Sequence, residues 1–307
     1  MNQCKDNMIG KIHSIQSLGT LDGPGLRYVI FLQGCNLRCG CCHNPDTWDI
    51  NDGKEIQASE LVKKTIRYKE YFKDIGGITL SGGEPLLQAK FAYEIFYLAH
   101  KENINTCLDT SGSILNDDVK LLLCETDRVL LDIKYTSNDL YNKYVGCNFD
   151  NVITFLNYLN EKNIKTTIRQ VIIPTLNDDK NSIIELKKII KKYHCIDKVE
   201  LLPFKKICQV KYDNLAIDFP FKDYNSPTND KINELYKILN EKDSWCEESF
   251  LLIEFISNSI DCFNNLRFWI SNTKSLKLFF FHFVIVASTL SNYFGFIIYF
   301  VSYFFIR

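Results

Sequence analysis

The chain has 307 residues, enough for one large α/β domain or two smaller ones. Its 36 Lys and Arg residues are balanced by 37 Asp and Glu residues, so no excess positive charge favours nucleic acid or an anionic surface. The first residues carry no apolar signal segment and a chain of this size needs no disulfides, so we expect a cytoplasmic protein whose 12 cysteines are reduced or bound to metal.

Strand-like and helix-like segments alternate along most of the chain. In chain order, the predicted strands cover residues 27–33, 78–81, 106–109, 128–132, 165–173 and 198–203. The predicted helices between them cover residues 58–72, 88–100, 116–124, 139–160 and 179–192. This alternation predicts parallel β/α units with right-handed crossovers, and about six units favour an α/β fold built as a partial (β/α)6 TIM-like barrel with helices outside. Reactive side chains of such a barrel belong at the C-terminal ends of its strands.

A cysteine-rich loop follows the first predicted strand. Cys35, Cys39 and Cys42 have the spacing C-x3-C-x2-C. Three thiolates on a cluster of four irons leave one iron without a protein ligand, and an open coordination position is typical of a catalytic metal site. A structural zinc site is the alternative, because Cys41 or His43 could complete a tetrahedral set.

Glycines, carboxylates and lysines follow four of the predicted strands. These segments are Ser81-Gly82-Gly83-Glu84-Pro85, Asp109-Thr110-Ser111-Gly112, Asp132-Ile133-Lys134 and Pro203-Phe204-Lys205. The glycines allow the backbone to approach a ligand, Glu84 can accept hydrogen bonds from an ammonium group, and Lys134 suits a carboxylate. Asp109 and Asp132 suit an ammonium group, hydroxyls or a cation. These groups match a ligand with amino, carboxylate and ribose groups, and S-adenosylmethionine (SAM) has all three.

The ordered set of motifs resembles the radical SAM superfamily and, within it, the family of activating enzymes for glycyl radical enzymes such as pyruvate formate-lyase. The similar stretches are residues 10–17, 19–27, 31–35, 42–48, 81–88, 108–112, 131–134 and 200–203. The resemblance implies that Cys35, Cys39 and Cys42 hold a [4Fe-4S] cluster whose fourth iron binds SAM. An electron from flavodoxin or ferredoxin would then cleave SAM, and the resulting 5′-deoxyadenosyl radical would take a hydrogen from a glycine of the partner enzyme.

The resemblance also assigns roles to the residues around SAM. Gly82, Gly83 and Glu84 would position its amino group, Asp132, Ile133 and Lys134 would contact the rest of the molecule, and the backbone of Cys41, Cys42 and His43 would lie near the adenine. A monovalent cation beside the SAM carboxylate would be bound by Asp109, Thr110 and Asp132. This chain departs from the family at Cys41, where an aromatic residue is usual. We interpret Cys41 as a thiol that does not bind the cluster. It departs again at Phe204-Lys205, where Tyr-His is usual, so Lys205 is a candidate substitute for the histidine.

The spacing of the motifs favours one partner among the glycyl radical enzymes. Activating enzymes of dehydratases and decarboxylases often carry a cysteine-rich segment before Gly-Gly-Glu, and residues 43–80 contain no cysteine. Activating enzymes of anaerobic ribonucleotide reductases are typically much shorter. Pyruvate formate-lyase is therefore the expected partner, and the dehydratases and the ribonucleotide reductases are the alternatives.

The composition changes after the family-like region. We expect residues 1–242 to form the activase domain and residues 243–307 to be an extension. Residues 278–306 contain no Asp, Glu, Lys or Arg, and they are long enough for a transmembrane helix. This segment is either a membrane anchor or a non-native tail, and contact with a membrane is expected only in the first case.

Overall fold

The computed structural model describes residues 8–241, which form an eight-stranded sheet with helices between the strands. The strands are β1 (Ile9–Gly19), β2 (Arg27–Leu32), β3 (Lys54–Gln57), β4 (Gly77–Gly82), β5 (Asn105–Thr110), β6 (Arg128–Asp132), β7 (Lys165–Ile172) and β8 (Ile196–Pro203). The helices are α1 (Ala58–Ile66), α2 (Lys69–Phe72), α3 (Ala89–Lys101), α4 (Asp117–Cys124), α5 (Asn138–Tyr144), α6 (Phe149–Glu161), α7 (Lys180–Ile190), α8 (Gln209–Asn214) and α9 (Asn229–Asn240).

The strand order confirms the predicted architecture. The order is β3-β1-β2-β4-β5-β6-β7-β8, and within residues 8–241 the six strands β2 and β4 to β8 run parallel. At one edge, β1 pairs antiparallel with β2, and β3 pairs antiparallel with β1. The C-terminal ends of the parallel strands therefore lie on one side of the sheet, where a barrel of this type carries its reactive groups.

Burial on both faces explains the continuous apolar sequences of the parallel strands. In β2, Val29, Ile30 and Leu32 are fully buried. The helix α3 is amphipathic and buries Ile95 and Phe96 completely. Complete burial of a side chain of this size stabilises the fold by about 1.5–3 kcal/mol. These contacts therefore hold the strands and α3 in fixed positions.

The prediction of a single helix over 58–72 is wrong, because this segment is divided in the structure, and the helical stretches predicted for 139–160 form α5 and α6. The segment 139–160 breaks because Gly146 has φ +87°, in the left-handed region that favours glycine. The side chain of Asn148 then starts α6 by accepting a hydrogen bond from Asp150 N at 2.8 Å. The segment 58–72 forms α1 and α2, and α1 ends at Ile66.

The described residues belong to one compact unit that ends at Glu241. Within residues 8–241, no helix is long and apolar enough to cross a membrane. The extension proposed for residues 243–307, with its apolar segment 278–306, lies outside the described residues.

Candidate active site

The cysteine loop, residues 33–44, is held in place by backbone hydrogen bonds at both sides. Gly34 N donates to Thr47 O at 2.7 Å, and Cys35 N donates to Trp48 O at 3.1 Å. On the other side, the loop is joined to the end of α5, because Arg38 N donates to Val145 O at 3.0 Å and Gly40 N to Tyr144 O at 2.8 Å. The protein therefore shapes this loop with its own contacts.

Cys35, Cys39, Cys41 and Cys42 are free thiols in this loop. Burial raises the pKa of Cys35 and of Cys41 to about 11, and it also raises the pKa of Cys39 and Cys42. Because only the thiolate binds iron, loading of a cluster releases protons from this loop. In residues 8–241, no three Cys, His, Asp or Glu side chains converge on one metal-ion position, as a structural zinc ion would require. A [4Fe-4S] cluster differs in this respect, since each thiolate binds a different iron.

The two glycines at the end of β4 pack directly on β2 and on the cysteine loop. Gly82 has φ +107°, and a Cβ there would lie 2.5 Å from Leu32 N. A Cβ on Gly83 would lie 2.1 Å from Gly34 O. Glycine is needed here because two backbone segments meet, and the close approach of a ligand stays a prediction.

Glu84 is buried and accepts four hydrogen bonds. Its Oε1 accepts from Thr110 Oγ1 at 2.6 Å and from Leu86 N at 3.1 Å, and its Oε2 accepts from Ser111 N at 3.0 Å and from Ser111 Oγ. Burial raises the pKa of Glu84, and these hydrogen bonds oppose that effect. The carboxylate thus joins the segment after β4 to the end of β5. Its contact with an ammonium group of a ligand stays a prediction.

A network of charged side chains joins β5, β7 and β8. Asp109 Oδ2 accepts from Ser81 Oγ at 2.7 Å and lies 3.3 Å from Arg169 Nη1. Glu200 Oε2 lies 3.8 Å from Arg169 Nε. Burial raises the pKa of Asp109 to about 6, although Arg169 acts in the opposite direction. Sequence analysis missed Arg169, and the signal for it was a charged residue within an otherwise buried strand.

Lys134 and Asp132 form a second ion pair beside the cysteine loop. Lys134 Nζ lies 2.7 Å from Asp132 Oδ2. Burial acts to lower the pKa of Lys134, but the charge of Asp132 and the nearby Cys39 and Cys41 groups raise it overall. Ile133, between these two residues, is fully buried in the hydrophobic core and donates its backbone N–H to Arg169 O at 3.0 Å.

The predicted cation ligands already have partners within the protein. Asp109 is paired with Arg169, and Asp132 is paired with Lys134. Thr110 Oγ1 donates to Glu84. A monovalent cation at this position would compete with these groups.

The end of β8 is joined to the cysteine loop through backbone atoms. His43 Nε2 donates to Lys205 O at 3.0 Å, and burial lowers the pKa of His43, which favours the neutral ring. Tyr212 OH donates to Cys42 O at 3.2 Å. The side chain of Lys205 is exposed, so its carbonyl makes the contact with the loop and its ammonium group does not.

The residues present fit an iron–sulfur cluster with a polar ligand. Three thiols on one loop stand beside Lys134, and Arg169 lies near the same strand ends. Five side chains in the described part of the chain carry a buried donor group with no hydrogen-bond partner in the protein: Trp48, Ser113, Tyr135, Arg169 and Gln170. Such donors are rare, because each costs about 1–3 kcal/mol.

Comparison with known proteins identifies the family. Residues 29–186 match the family model of the radical SAM superfamily. The pyruvate formate-lyase-activating enzyme of Clostridium pasteurianum is 43% identical over 235 residues, which are 76% of this chain and 98% of the relative. The enzyme of that name from Staphylococcus epidermidis is 38% identical over 239 residues, which are 75% of this chain and 95% of the relative.

A solved structure supports the fold alone. The radical SAM methyltransferase of Sphaerobacter thermophilus superposes with a TM-score of 0.53 at 19% identity, over 69% of this chain and 63% of that one. The family model and the two relatives are the stronger evidence, since the model extends over the cysteine loop and the motifs at the ends of β4, β5 and β6, and the relatives match about three quarters of this chain. The chain therefore belongs to the radical SAM superfamily and, within it, to the pyruvate formate-lyase-activating enzymes.

Proposed function

We propose that the chain generates the glycyl radical of pyruvate formate-lyase under anaerobic conditions by reductive cleavage of SAM. Radical SAM enzymes use a [4Fe-4S] cluster and SAM, and this chain is one of them. The observation that carries the choice of partner is the 43% identity that extends over 98% of a relative named for this activity. Activation of a dehydratase or of an anaerobic ribonucleotide reductase is the alternative within the family.

In this proposal, Cys35, Cys39 and Cys42 are the cluster ligands. The cluster, when bound, supplies the electron that cleaves the sulfonium bond of SAM. Lys134, which stands beside the cysteine loop, would bind the carboxylate of SAM. Glu84 would act indirectly, because it holds the segments after β4 and β5 together.

The other side chains near the strand ends would orient SAM and its surroundings. Asp132 would accept hydrogen bonds from the polar groups of SAM, and the guanidinium group of Arg169, beside Asp109 and Glu200, would meet an anionic group. The backbone from Cys41 to His43 would lie beside the adenine. The exposed ammonium group of Lys205 is not assigned to SAM, since only its carbonyl contacts the loop.

The remaining parts of the proposal concern partners and cofactors outside the chain. Flavodoxin or ferredoxin would supply the electron, and the protein would act in the cytoplasm without nucleic acid. A membrane would be involved only through residues 278–306. The monovalent cation stays a prediction, because Arg169 and Lys134 already pair with the two carboxylates that would bind it.

Anaerobic reconstitution of the full chain tests the proposal. After iron and sulfide analysis, the protein is mixed with SAM, dithionite and one candidate glycyl radical enzyme. We expect 5′-deoxyadenosine and an electron paramagnetic resonance (EPR) signal of a glycyl radical with pyruvate formate-lyase. A radical that forms only with a dehydratase or a ribonucleotide reductase would select the alternative, and bound zinc without sulfide would contradict cluster chemistry.

The ligand set is tested by single replacements in the same loop. Cys42→Ala removes a proposed ligand, so we expect loss of the cluster and of SAM cleavage. Cys41→Ala is the matched control, because this neighbouring thiol lies in the same loop and is half-buried like Cys42. It should retain the iron and sulfide content of the unchanged protein. The opposite result, with the cluster lost from Cys41→Ala and kept in Cys42→Ala, would reassign the third ligand.

A further inference from the structure

The cysteine loop closes in a tight turn between two of its proposed cluster ligands. Cys42 N donates to Cys39 O at 3.0 Å, and the two residues between them form the corner of a β-turn. The ends of such a turn lie within about 7 Å of each other, which suits two thiolates with C-x2-C spacing on one metal site. A turn shifted by one residue would place Cys41 at its end in place of Cys42. The position of the corner therefore decides which thiols stand together.

The ring of Phe221 lies directly over this corner. A Cβ on Gly40, the first corner residue, would lie 2.4 Å from Phe221 Cε1 and 2.5 Å from Phe221 Cζ. The backbone of Gly40 does not have a positive φ, so its conformation does not require glycine. Glycine is needed at this position because the ring of Phe221 occupies the space that a side chain would fill.

The ring of Phe221 is itself held in place by its neighbours. Phe221 is 2% exposed. Three further rings surround it at centroid distances of 4.7 to 6.2 Å, and these belong to Tyr144, Phe204 and Tyr224. Because the site is densely packed, a displaced ring would force these neighbours to shift as well. The carbonyl of Tyr144 also accepts a hydrogen bond from Gly40 N at 2.8 Å, so the corner of the turn is held by a buried ring and by a backbone hydrogen bond.

We propose that the ring of Phe221 fixes the register of this turn and thereby selects Cys42, rather than Cys41, as the third cluster ligand. This inference rests on the cluster and the ligand set of the proposed function. Cys41 and Cys42 are adjacent, half-buried thiols, so neither residue type nor exposure distinguishes them. The contact of Phe221 with Gly40 does distinguish them, because it fixes the backbone on one side of the pair. Phe221 is a positioning residue, since it acts through Gly40 and has no atom that binds iron.

Two compensating replacements in the full-length, anaerobically reconstituted protein test the contact. Gly40→Ala sets a methyl group against the ring, and adding Phe221→Leu makes room for that group because Leu is smaller than Phe. We expect Gly40→Ala to lose its iron to a chelator about tenfold faster than the unchanged protein, and the double variant to recover most of this loss. Gly40→Ala with Phe96→Leu is the control, because Phe96 is another buried ring, on α3, which packs against α1 and α4. No recovery with Phe221→Leu, or equal recovery in both double variants, would overturn the proposal, even if Gly40→Ala alone assembles no cluster.

Mapping of the free thiols tests the choice of ligand, which a loss of stability alone would not change. The free cysteines of each loaded protein are alkylated, the cluster is removed, and a second reagent then marks the cysteines that had bound iron. We expect the first label on Cys41 and the second on Cys42 in the unchanged protein, a mixture of both labels on each in Gly40→Ala, and the original pattern in Gly40→Ala with Phe221→Leu. The second label on Cys41 of the unchanged protein, or an unaltered pattern in Gly40→Ala, would overturn the proposal. An unchanged protein that binds metal without sulfide would instead contradict the proposed function.

Discussion

Glu84 connects two of the strand-end motifs. Its four hydrogen-bond donors come from Leu86, on its own segment, and from Thr110 and Ser111 after β5. A ligand would therefore meet a preformed surface in which Glu84 is a support. The same principle applies to Gly83, whose backbone packs on Gly34. At the residue scale, the Gly-Gly-Glu segment links the end of β4 to the cysteine loop and to the end of β5.

Replacement of Glu84 by Gln tests this supporting role. All four partners of Glu84 are donors, so an amide NH2 group in place of one oxygen would face donors and leave them unpaired. We expect Glu84→Gln to lower the free energy of unfolding by about 1.5–3 kcal/mol, as for loss of hydrogen bonds to a charged group. Urea unfolding of the metal-free protein measures this change. Stability equal to that of the unchanged protein would show that the carboxylate is not a structural support.

Gly83→Ala tests the contact between the two backbone segments. The added Cβ would lie 2.1 Å from Gly34 O, so the cysteine loop must move. We expect a loss of about 1–3 kcal/mol in the free energy of unfolding and a lower iron content after reconstitution.

Gly146→Ala is the control for Gly83→Ala. Gly146 has φ +87°, but a Cβ there would lie no closer than 3.8 Å to Arg38 N. Only the backbone strain of about 1–2 kcal/mol remains, so its iron content should fall less. Equal iron loss in both variants would argue against a specific role of the Gly83–Gly34 contact.

At the element scale, side chains join the N-terminal ends of neighbouring strands. Arg27 at the start of β2 is fully buried and donates to Thr79 Oγ1 at 2.9 Å and to Asn105 Oδ1 at 2.8 Å. His100 in the last turn of α3 lies 2.7 Å from Glu125 Oε2 and 3.1 Å from Asp127 Oδ2. These contacts fix the N-terminal ends of the strands, which lie opposite to the ends that carry the candidate active site.

The contacts of His100 predict a pH-dependent stability. Burial acts to lower the pKa of His100, but the hydrogen bonds to Glu125 and Asp127 outweigh it and raise the pKa. A raised folded pKa means that the stabilisation is complete below the unfolded value of about 6.5 and is lost as the pH rises through the folded pKa. We expect His100→Gln to cost about 0.5–1 kcal/mol at pH 6, since the group is partly exposed, and less at pH 9.

Urea unfolding at the two pH values measures this effect. His194→Gln is the control, because His194 is exposed. A cost of His100→Gln that does not change with pH would show that the charge of the imidazolium has no part in it.

Sequence patterns predicted the parallel strands because these are buried on both faces and form apolar runs. They missed β1, whose residues alternate irregularly between exposed and buried, and β3, which is only four residues long. The strand-end motifs were found from their position. Their mutual contacts, such as that of Glu84 with Ser111 and that of Asp109 with Arg169, join distant parts of the chain and could not be predicted.

At the scale of the whole molecule, the family region is the part that the relatives share. The match to the Clostridium pasteurianum enzyme covers 98% of that relative but 76% of this chain. The relative thus has almost nothing that would correspond to the rest of this chain. The activity of the family requires little beyond the region they have in common.

A shortened protein that ends at Glu241 tests this conclusion. We expect it to assemble the same iron and sulfide content as the full chain and to cleave SAM at a similar rate, because the cysteine loop and all the strand-end groups lie within residues 8–241. Quantification of 5′-deoxyadenosine in parallel assays is the measurement. A shortened protein that is soluble and loaded with cluster but inactive would give the residues after 241 a role in catalysis.

The fixed cysteine loop has a consequence for the lifetime of the enzyme in a cell that meets oxygen. Gly34, Cys35, Arg38 and Gly40 hold the loop through backbone hydrogen bonds that involve no metal. Oxidative destruction of a cluster should therefore leave the fold and the shape of the loop intact, so that iron and sulfide can be inserted again without refolding. We therefore expect that such an enzyme can be repaired after exposure to air and need not be synthesised anew.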